Sequence, residues 1–359
     1  MAFALFFHHS HKITENFYLC LFTKFALHVI IPSVKYTKYC TLNELSALDK
    51  KWGLRMIRSI NKQQLVRERL ARELLVLHLE GRDHLRPVQH YAESYGVGRG
   101  TVQSAFQELK DCGAIVLNAC GARGTFLERV EQRKLFDACG YGELICLMPL
   151  NINRDYRGLA TGIYETISAK DLPIHILFAR GSRNRIKMLL RQKCDFVAMS
   201  QLACEAAIER RGHTIEAVQA LGSYPAELGV ITRRGSDYVP GQTKVAFDRY
   251  SYDQCALHAL LGMRPEERKD CLNVQLADMV RLGMVEAALY DRCAVPEEGE
   301  LQFHPLEMPE ETRAKLHRAV VVIRHGDEPM RDLLKSTLKP EVVTRVQEEV
   351  LAGVRLVKY

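Results

Sequence analysis

Tyr95-Gly96-Val97-Gly98-Arg99-Gly100-Thr101-Val102-Gln103-Ser104-Ala105-Phe106-Gln107-Glu108-Leu109 is the stretch whose reading decides the fold of the N-terminal part. Val102, Ala105, Phe106 and Leu109 recur at i, i+3, i+4 and i+7, so one face of a helix over 99–112 is apolar. Arg99, Gly100, Gln103, Gln107 and Lys110 fall on the other face, directed away from a core. Tyr95-Gly96-Val97 reads as a tight turn, with glycine where a left-handed backbone is often needed. Upstream, Arg86-Pro87 opens a short helix to about Ser94, because proline suits the first helical turn. Before it, Ile60, Leu65, Val66, Leu70, Leu74 and Leu77 mark a longer helix that Asn61 can cap and Gly81 stops. Its charged residues Arg67, Glu68, Arg69, Arg72 and Glu73 lie between the apolar ones.

Downstream, Gly113 terminates the second helix, residues 114–117 have strand character, and 118–124 form a glycine-containing loop. Thr125-Phe126-Leu127 returns as a second strand. Three helices and a hairpin with a basic tip make a winged helix-turn-helix, in which the last helix can enter a major groove while the wing follows the backbone or minor groove. The order of turn, Arg99-Gly100-Thr101-Val102, Leu109, Gly113 and Gly121-Ala122-Arg123-Gly124-Thr125-Phe126 resembles the GntR family of bacterial transcription regulators. Gly98 departs from the serine common there, a helix cap only slightly better than glycine. Gln103 replaces a frequent arginine and favours reading adenine over guanine. The resemblance implies Arg86, Arg99, Thr101, Gln103, Arg123 and Gly124 as the DNA-contacting set. The alternative is a winged helix used for protein contact, with Arg99 merely solvated. Residues 56–140 carry thirteen basic and ten acidic side chains, so duplex affinity is expected to need a dimer and to be salt-sensitive.

After Glu131 strands and helices alternate. Leu144-Ile145-Cys146-Leu147-Met148-Pro149-Leu150 is nearly all apolar, as a buried parallel strand requires. Further strands are expected at 174–179, 195–200, 227–232, 244–247, 286–290 and 319–323, with helices at 158–167, 183–192 and 204–209. The fold class is therefore α/β and multidomain, a winged helix followed by a doubly wound α/β domain whose ligands bind at strand ends. Tyr156-Arg157-Gly158-Leu159-Ala160-Thr161-Gly162, Ala179-Arg180-Gly181, Cys194 to Ala203 and Val245-Ala246-Phe247-Asp248 make this half similar to the C-terminal domain of YhfZ-type regulators. That domain is related to the type 2 periplasmic-binding-protein fold. The resemblance implies two lobes closing on a small metabolite, with the strand-end residues Tyr156, Arg180, Ser200, Asp248 and Asp291 as ligand contacts. The planar fork of Arg180 suits a carboxylate or phosphate. Each has a local alternative: Arg180 can pair with an internal carboxylate, Ser200 can cap the next helix, and Asp248 can form a turn. His175, within an apolar strand, is expected to be a hydrogen-bonded core residue.

The chain has 359 residues, 50 Lys+Arg against 43 Asp+Glu and a formal charge of +7, which permits a nucleic-acid partner. No apolar run reaches the ~20 residues of a spanning helix, so no membrane association is expected. Eleven scattered cysteines without a Cys-x-x-Cys pair read as reduced structural thiols in a cytoplasm. No metal site and no cofactor are assigned, and Gly-x-Ser-x-Gly, P-loop, His-Glu-x-x-His and dinucleotide motifs are absent. The function expected is a homodimeric regulator that binds an operator through the winged helix and a metabolite through its C-terminal half. The alternative is a biosynthetic enzyme of the same fold joined to a winged helix. Residues 1–55, with His8, His9, His11 and the only tryptophan, read as a start-site artefact upstream of Met56, a disordered extension or a weak anchor. The domain limits expected are 1–55, 56–130 and 140–359.

Overall fold

The computed structural model describes residues 62–150, 154–224, 227–239, 242–260, 271–292, 295 and 299–359. The expectations for residues 1–55, for Met56 and for the Asn61 cap lie outside them. By its internal contacts the chain divides into Met1–Ser59 and Ile60–Tyr359, and every described residue belongs to the second unit.

Helices α1 (Lys62–Leu79), α2 (Val88–Tyr95) and α3 (Arg99–Asp111) pack through Leu70, Leu74, Tyr91, Val102, Phe106 and Leu109, all buried. The face of α3 that the spacing picks out is the face that is buried, Val102, Ala105, Phe106 and Leu109. Gly96 sits at φ 63° and ψ 41° between α2 and α3, the left-handed turn the pair needs. Gly98 precedes α3 in extended conformation and offers no side-chain cap. Strands β1 (Ile115–Ala119) and β2 (Thr125–Val130) form an antiparallel wing. The chain before α2 joins this wing, since Leu85 N–H donates to Thr125 O at 2.9 Å and Leu127 N–H donates to Asp83 O at 2.7 Å.

A connector helix α4 (Gln132–Ala138), capped by Glu131, leads into the α/β part. Glu68 and Arg72 of α1 are buried there. Arg72 Nε donates to Cys139 O at 2.9 Å, its Nη2 lies 3.4 Å from Glu68 Oε2, and its guanidinium lies 5.0 Å from the Tyr141 ring centre.

The α/β part has two sheets. The first comprises β3 (Leu144–Met148), β4 (Ile174–Phe178), β5 (Phe196–Ser200), β6 (Ile215–Ser223) and β11 (Arg318–Arg324), in the order β4-β3-β5-β11-β6. Helices α5 (Arg154–Ser168), α6 (Ser182–Leu190) and α7 (Gln201–Arg211) connect its strands, and α11 (Glu328–Thr337) and α12 (Pro340–Leu351) follow β11. After β6 the chain builds a second sheet from β7 (Leu228–Arg233), β8 (Val245–Ala246), β9 (Ala287–Asp291) and β10 (Leu301–Pro305), in the order β10-β7-β9-β8. Helices α8 (Tyr252–Leu260) and α9 (Asn273–Arg281) lie between its strands, and α10 (Glu310–His317) returns the chain to the first sheet. Two lobes result, each with its own apolar cluster.

Three differences from the sequence reading have physical causes. β11 is antiparallel to both β5 and β6, because it re-enters the first sheet where β6 left it, with Arg318 opposite Ser223. Strands β6 and β10 are not expected from the sequence; each is an edge strand whose residues are mostly half-exposed or exposed, so the apolar signal is weak. His175 is not a core residue: β4 is the other edge, and the exposed imidazole Nε2 lies 2.9 Å from Glu143 Oε2. Among the described residues no helix is long and apolar enough to cross a membrane.

Candidate functional site

The outer face of α3 and the wing bound an open groove of about 700 Å³. Arg86, Gln103, Arg123 and Gly124 line it, together with Gln107 and Lys110. The side chains of Arg86, Gln103 and Arg123 are exposed, so three polar groups from three segments share one surface. Arg99 and Thr101 are not in that lining. Arg99 opens α3, exposed, with Nε donating to Gln89 Oε1; Thr101 is half-buried two residues on. Gly124 has φ +92°, and a Cβ there would stand 2.7 Å from His84 Nε2. Glycine is thus needed for the wing to close on His84, whose ring packs 4.9 Å from that of Phe126. Sequence spacing does not reveal His84, because its place comes from a pairing between segments 42 residues apart, His84 with Phe126.

The second candidate lies between the lobes. A cleft of about 140 Å³ is lined by Tyr156, Arg180, Asp248 and Asp291, four of the five residues expected to touch ligand. The fifth, Ser200, is fully buried and does not line it. Its Oγ accepts from Ala203 N–H at 2.9 Å as the cap of α7 and donates to the carboxylate of Asp253. Asp248 lines the cleft and also closes a turn: Oδ1 accepts from Tyr250 N–H at 2.8 Å and Oδ2 from Asn273 N–H at 3.3 Å. Tyr156 and Tyr224 meet edge to face at 5.3 Å. Burial raises the Tyr156 phenol well above its usual range and pushes Tyr224 up to about 12, against the lowering field of Arg185. Arg180 Nη1 is buried without a hydrogen-bond partner, and the guanidinium stands 5.5 Å from the Tyr250 ring centre.

Sequence reasoning misses two residues here, Arg185 and Asp253. Arg185 is legible in principle: Ser182, Arg185, Ile186 and Leu189 are the buried residues of α6, so the arginine is in phase with the apolar stripe. Asp253 is not, because only the packing of α8 against α6 and α7 sets it beside Ser200. Burial pushes its carboxyl up to about 6, with the Ser200 hydrogen bond and then Arg185 opposing. Gly181 allows this approach; at φ +69° a Cβ would lie 2.8 Å from Tyr250 O. Arg183 N–H donates to Tyr250 O at 2.9 Å and Tyr252 N–H to Ser182 Oγ at 2.8 Å, fastening α8 to the start of α6. Chemically the cleft offers two guanidinium groups, three carboxyl groups and phenols to a small molecule. Among the described residues no group of three His, Cys, Asp or Glu could hold a metal ion.

Two family models match different parts of the chain. A family model described as a helix-turn-helix domain matches residues 81–127, and one described as the YhfZ C-terminal domain matches residues 131–359. The chain is 26% identical over 296 residues to the protein named "Uncharacterized protein YhfZ" of Escherichia coli (strain K12), covering 82% of this chain and 96% of that one. It is similar to the crystal structure of YhfZ from Shigella flexneri, with a TM-score of 0.50 and 26% identity over 60% of this chain and 93% of that one. A lower-scoring likeness, TM-score 0.40 and 14% identity over 58% of this chain and 97% of that one, is to a periplasmic substrate-binding protein of an ABC transporter from Coxiella burnetii. With a helix-turn-helix ahead of it and well over half the chain matched, this protein belongs to the family defined by the YhfZ C-terminal domain.

Proposed function

We propose that the protein is a cytoplasmic transcription regulator that binds an operator through its winged helix and changes that binding when a small metabolite occupies the cleft between its lobes. The observation that carries the reading is the groove beside α3, where Arg86, Gln103 and Arg123 present exposed polar ends on a rigid, buried-core support. Such a surface suits base edges and phosphates, with the wing alongside. The resemblance of the turn and wing to the GntR family supports the same contacts and adds Arg99 and Thr101, with Gly124 shaping the wing. A homodimer would set two α3 helices in successive major grooves, about one helical turn apart. The ligand set is Tyr156, Arg180, Asp248 and Asp291, which line the cleft; Ser200 acts from beneath by capping α7 and holding Asp253.

The test is duplex binding by the purified full chain to genomic fragments at low and moderate salt. Arg99→Ala is expected to weaken operator binding by about 1–3 kcal/mol and to leave metabolite binding unchanged. Unaltered operator affinity removes Arg99 from the reading, and no salt-dependent duplex binding removes the reading itself. Turnover of the bound metabolite would instead favour an enzyme.

A further inference from the structure

We infer that strand β4 and the segment following α12, residues 352–359, form the surface through which two copies of this chain pair. The inference rests on the homodimer of the proposed function and says where its interface lies. β4 is an edge of the first sheet. Ala179 N–H donates to Met148 O and Leu144 N–H to Pro173 O, both at 2.9 Å, so residues 173 and 179 turn backbone groups toward β3. Alternation along the strand turns those of Ile174, Ile176 and Phe178 outward. Among the described residues no strand pairs with that side. Sheet edges are usually blunted by bulges, prolines or charge. The other edge of the same sheet, β6, has two register shifts against β11 and an ion pair between Glu216 and Arg331. β4 keeps an unbroken register with β3, and its residues Ile-His-Ile-Leu-Phe include no proline, lysine or acid.

The segment after α12 is fastened beside this strand. Arg355 Nη1 donates to Glu165 Oε2 of α5 at 2.8 Å and its Nε to Glu349 Oε2 at 2.6 Å. Lys358 N–H donates to Thr161 Oγ1 at 3.1 Å, and the Tyr359 ring stands 5.2 Å from that of Phe178. Although held in this way, the segment leaves apolar side chains in water: Leu356 is 89% exposed and Val354 77%. Val357 and Tyr359 are exposed as well, and Leu177, 46% exposed, points to the opposite face of β4 from Phe178. The open edge thus has apolar surface on both flanks. These five side chains expose roughly 500 Å² of it, a size at which a surface patch marks an interaction site. Apolar atoms make up about 65% of a homodimer interface, so two such patches correspond to roughly 1,500 Å² in total, within the range of stable pairs.

Self-complementarity selects a second copy as the occupant. A two-fold axis at Ile176 pairs the strand with itself, setting Ile174 opposite Phe178 of the second copy and His175 opposite Leu177. Each outward N–H then meets a carbonyl, and each apolar flank meets another. The one polar side chain of the strand, His175, has its Nε2 2.9 Å from Glu143 Oε2 of its own chain. A different protein would have to bring a matching edge strand; this chain already carries one.

The full chain is followed by sedimentation velocity across the micromolar range and by hydrogen exchange of the peptide spanning β4. The wild type is expected to dimerise. Its β4 amides are expected to exchange slowly in the dimer and faster in the monomer, whether reached by dilution or by substitution. Leu356→Asp and Leu177→Lys alter side chains that stand in water in the single chain, so neither touches the core. Each is expected to weaken the dimer by on the order of tenfold or more, and the double variant to be monomeric with an unchanged circular dichroism spectrum. Leu282→Asp, at a 75% exposed apolar site of the second lobe, is expected to leave the dimer intact.

A wild type that is monomeric at every concentration overturns the inference and the homodimer with it. A dimer that survives both substitutions, or that Leu282→Asp disrupts equally, overturns the inference alone, the copies then pairing elsewhere. Equal exchange of the β4 amides in dimer and monomer does the same, and slow exchange in both shows that another segment of the chain covers the edge. If a substituted chain does not fold, the exchange of the wild type on dilution decides. Duplex binding is read separately: a dimer formed through β4 that binds no duplex upholds this inference and removes the operator reading.

Discussion

Asp253 is a carboxyl group whose ionisation the fold opposes. Its usual value of 3.8 rises to about 6, chiefly through burial. Between those two pH values the folded protein retains a proton that the unfolded chain has released, so this group's contribution to stability falls as pH rises through the window and stays low above it. The difference is on the order of 3 kcal/mol by linkage. Asp253→Asn removes the dependence. Melting temperatures of variant minus wild type should therefore climb from about pH 4 to about pH 6 and then level off; a flat difference across that window contradicts the assignment. Single residues are legible in the sequence only in part. Arg180, Tyr156, Asp248 and Asp291 are picked out by their places at or beyond strand ends, and they converge. Ser200 shares that signal and is a helix cap one layer below, because a strand's last residue can face either the cleft or the first amides of the next helix.

Among the elements, α1 has the least expected role. Its sequence reads as apolar residues at helical spacing with charged ones between them, and two of those charged residues, Glu68 and Arg72, are buried where α4 and α11 close over it. A buried pair tolerates joint replacement far better than the loss of one partner. Arg72→Met alone is expected to cost about 3–5 kcal/mol in urea unfolding, through a stranded Glu68 and a lost bond to Cys139 O. Glu68→Gln with Arg72→Met should cost clearly less than the sum of the single changes, and strict additivity would show the pair is not coupled. Helix α3 is legible almost to the residue, since four apolar positions at helical spacing suffice to orient it. Strands β6 and β10 are not, because an edge strand that is half in water lacks the apolar run by which buried strands are found.

At the scale of the whole molecule, the winged helix and the first lobe share one compact unit, joined through α1, α4 and α11. On the proposed function, a ligand in the cleft would act on the winged helix through these packed helices. Coupling of about 1–3 kcal/mol is expected, and it must be reciprocal: saturating operator should change ligand affinity by the same factor that ligand changes operator affinity. Titrations in both directions check this, and unequal factors at equilibrium would exclude a single linked transition. The sequence by itself determined the helix-turn-helix, the wing, the alternating α/β pattern and the strands buried on both faces. All of these come from local periodicity and turn chemistry, which act over a few residues. Only the tertiary structure decided that β11 runs against its neighbours, that His84 braces the wing, and that Arg185 and Asp253 lie in one cleft. Those outcomes depend on which distant segments meet, and the free energy of such meetings is written in packing between elements rather than in the order of residues within one.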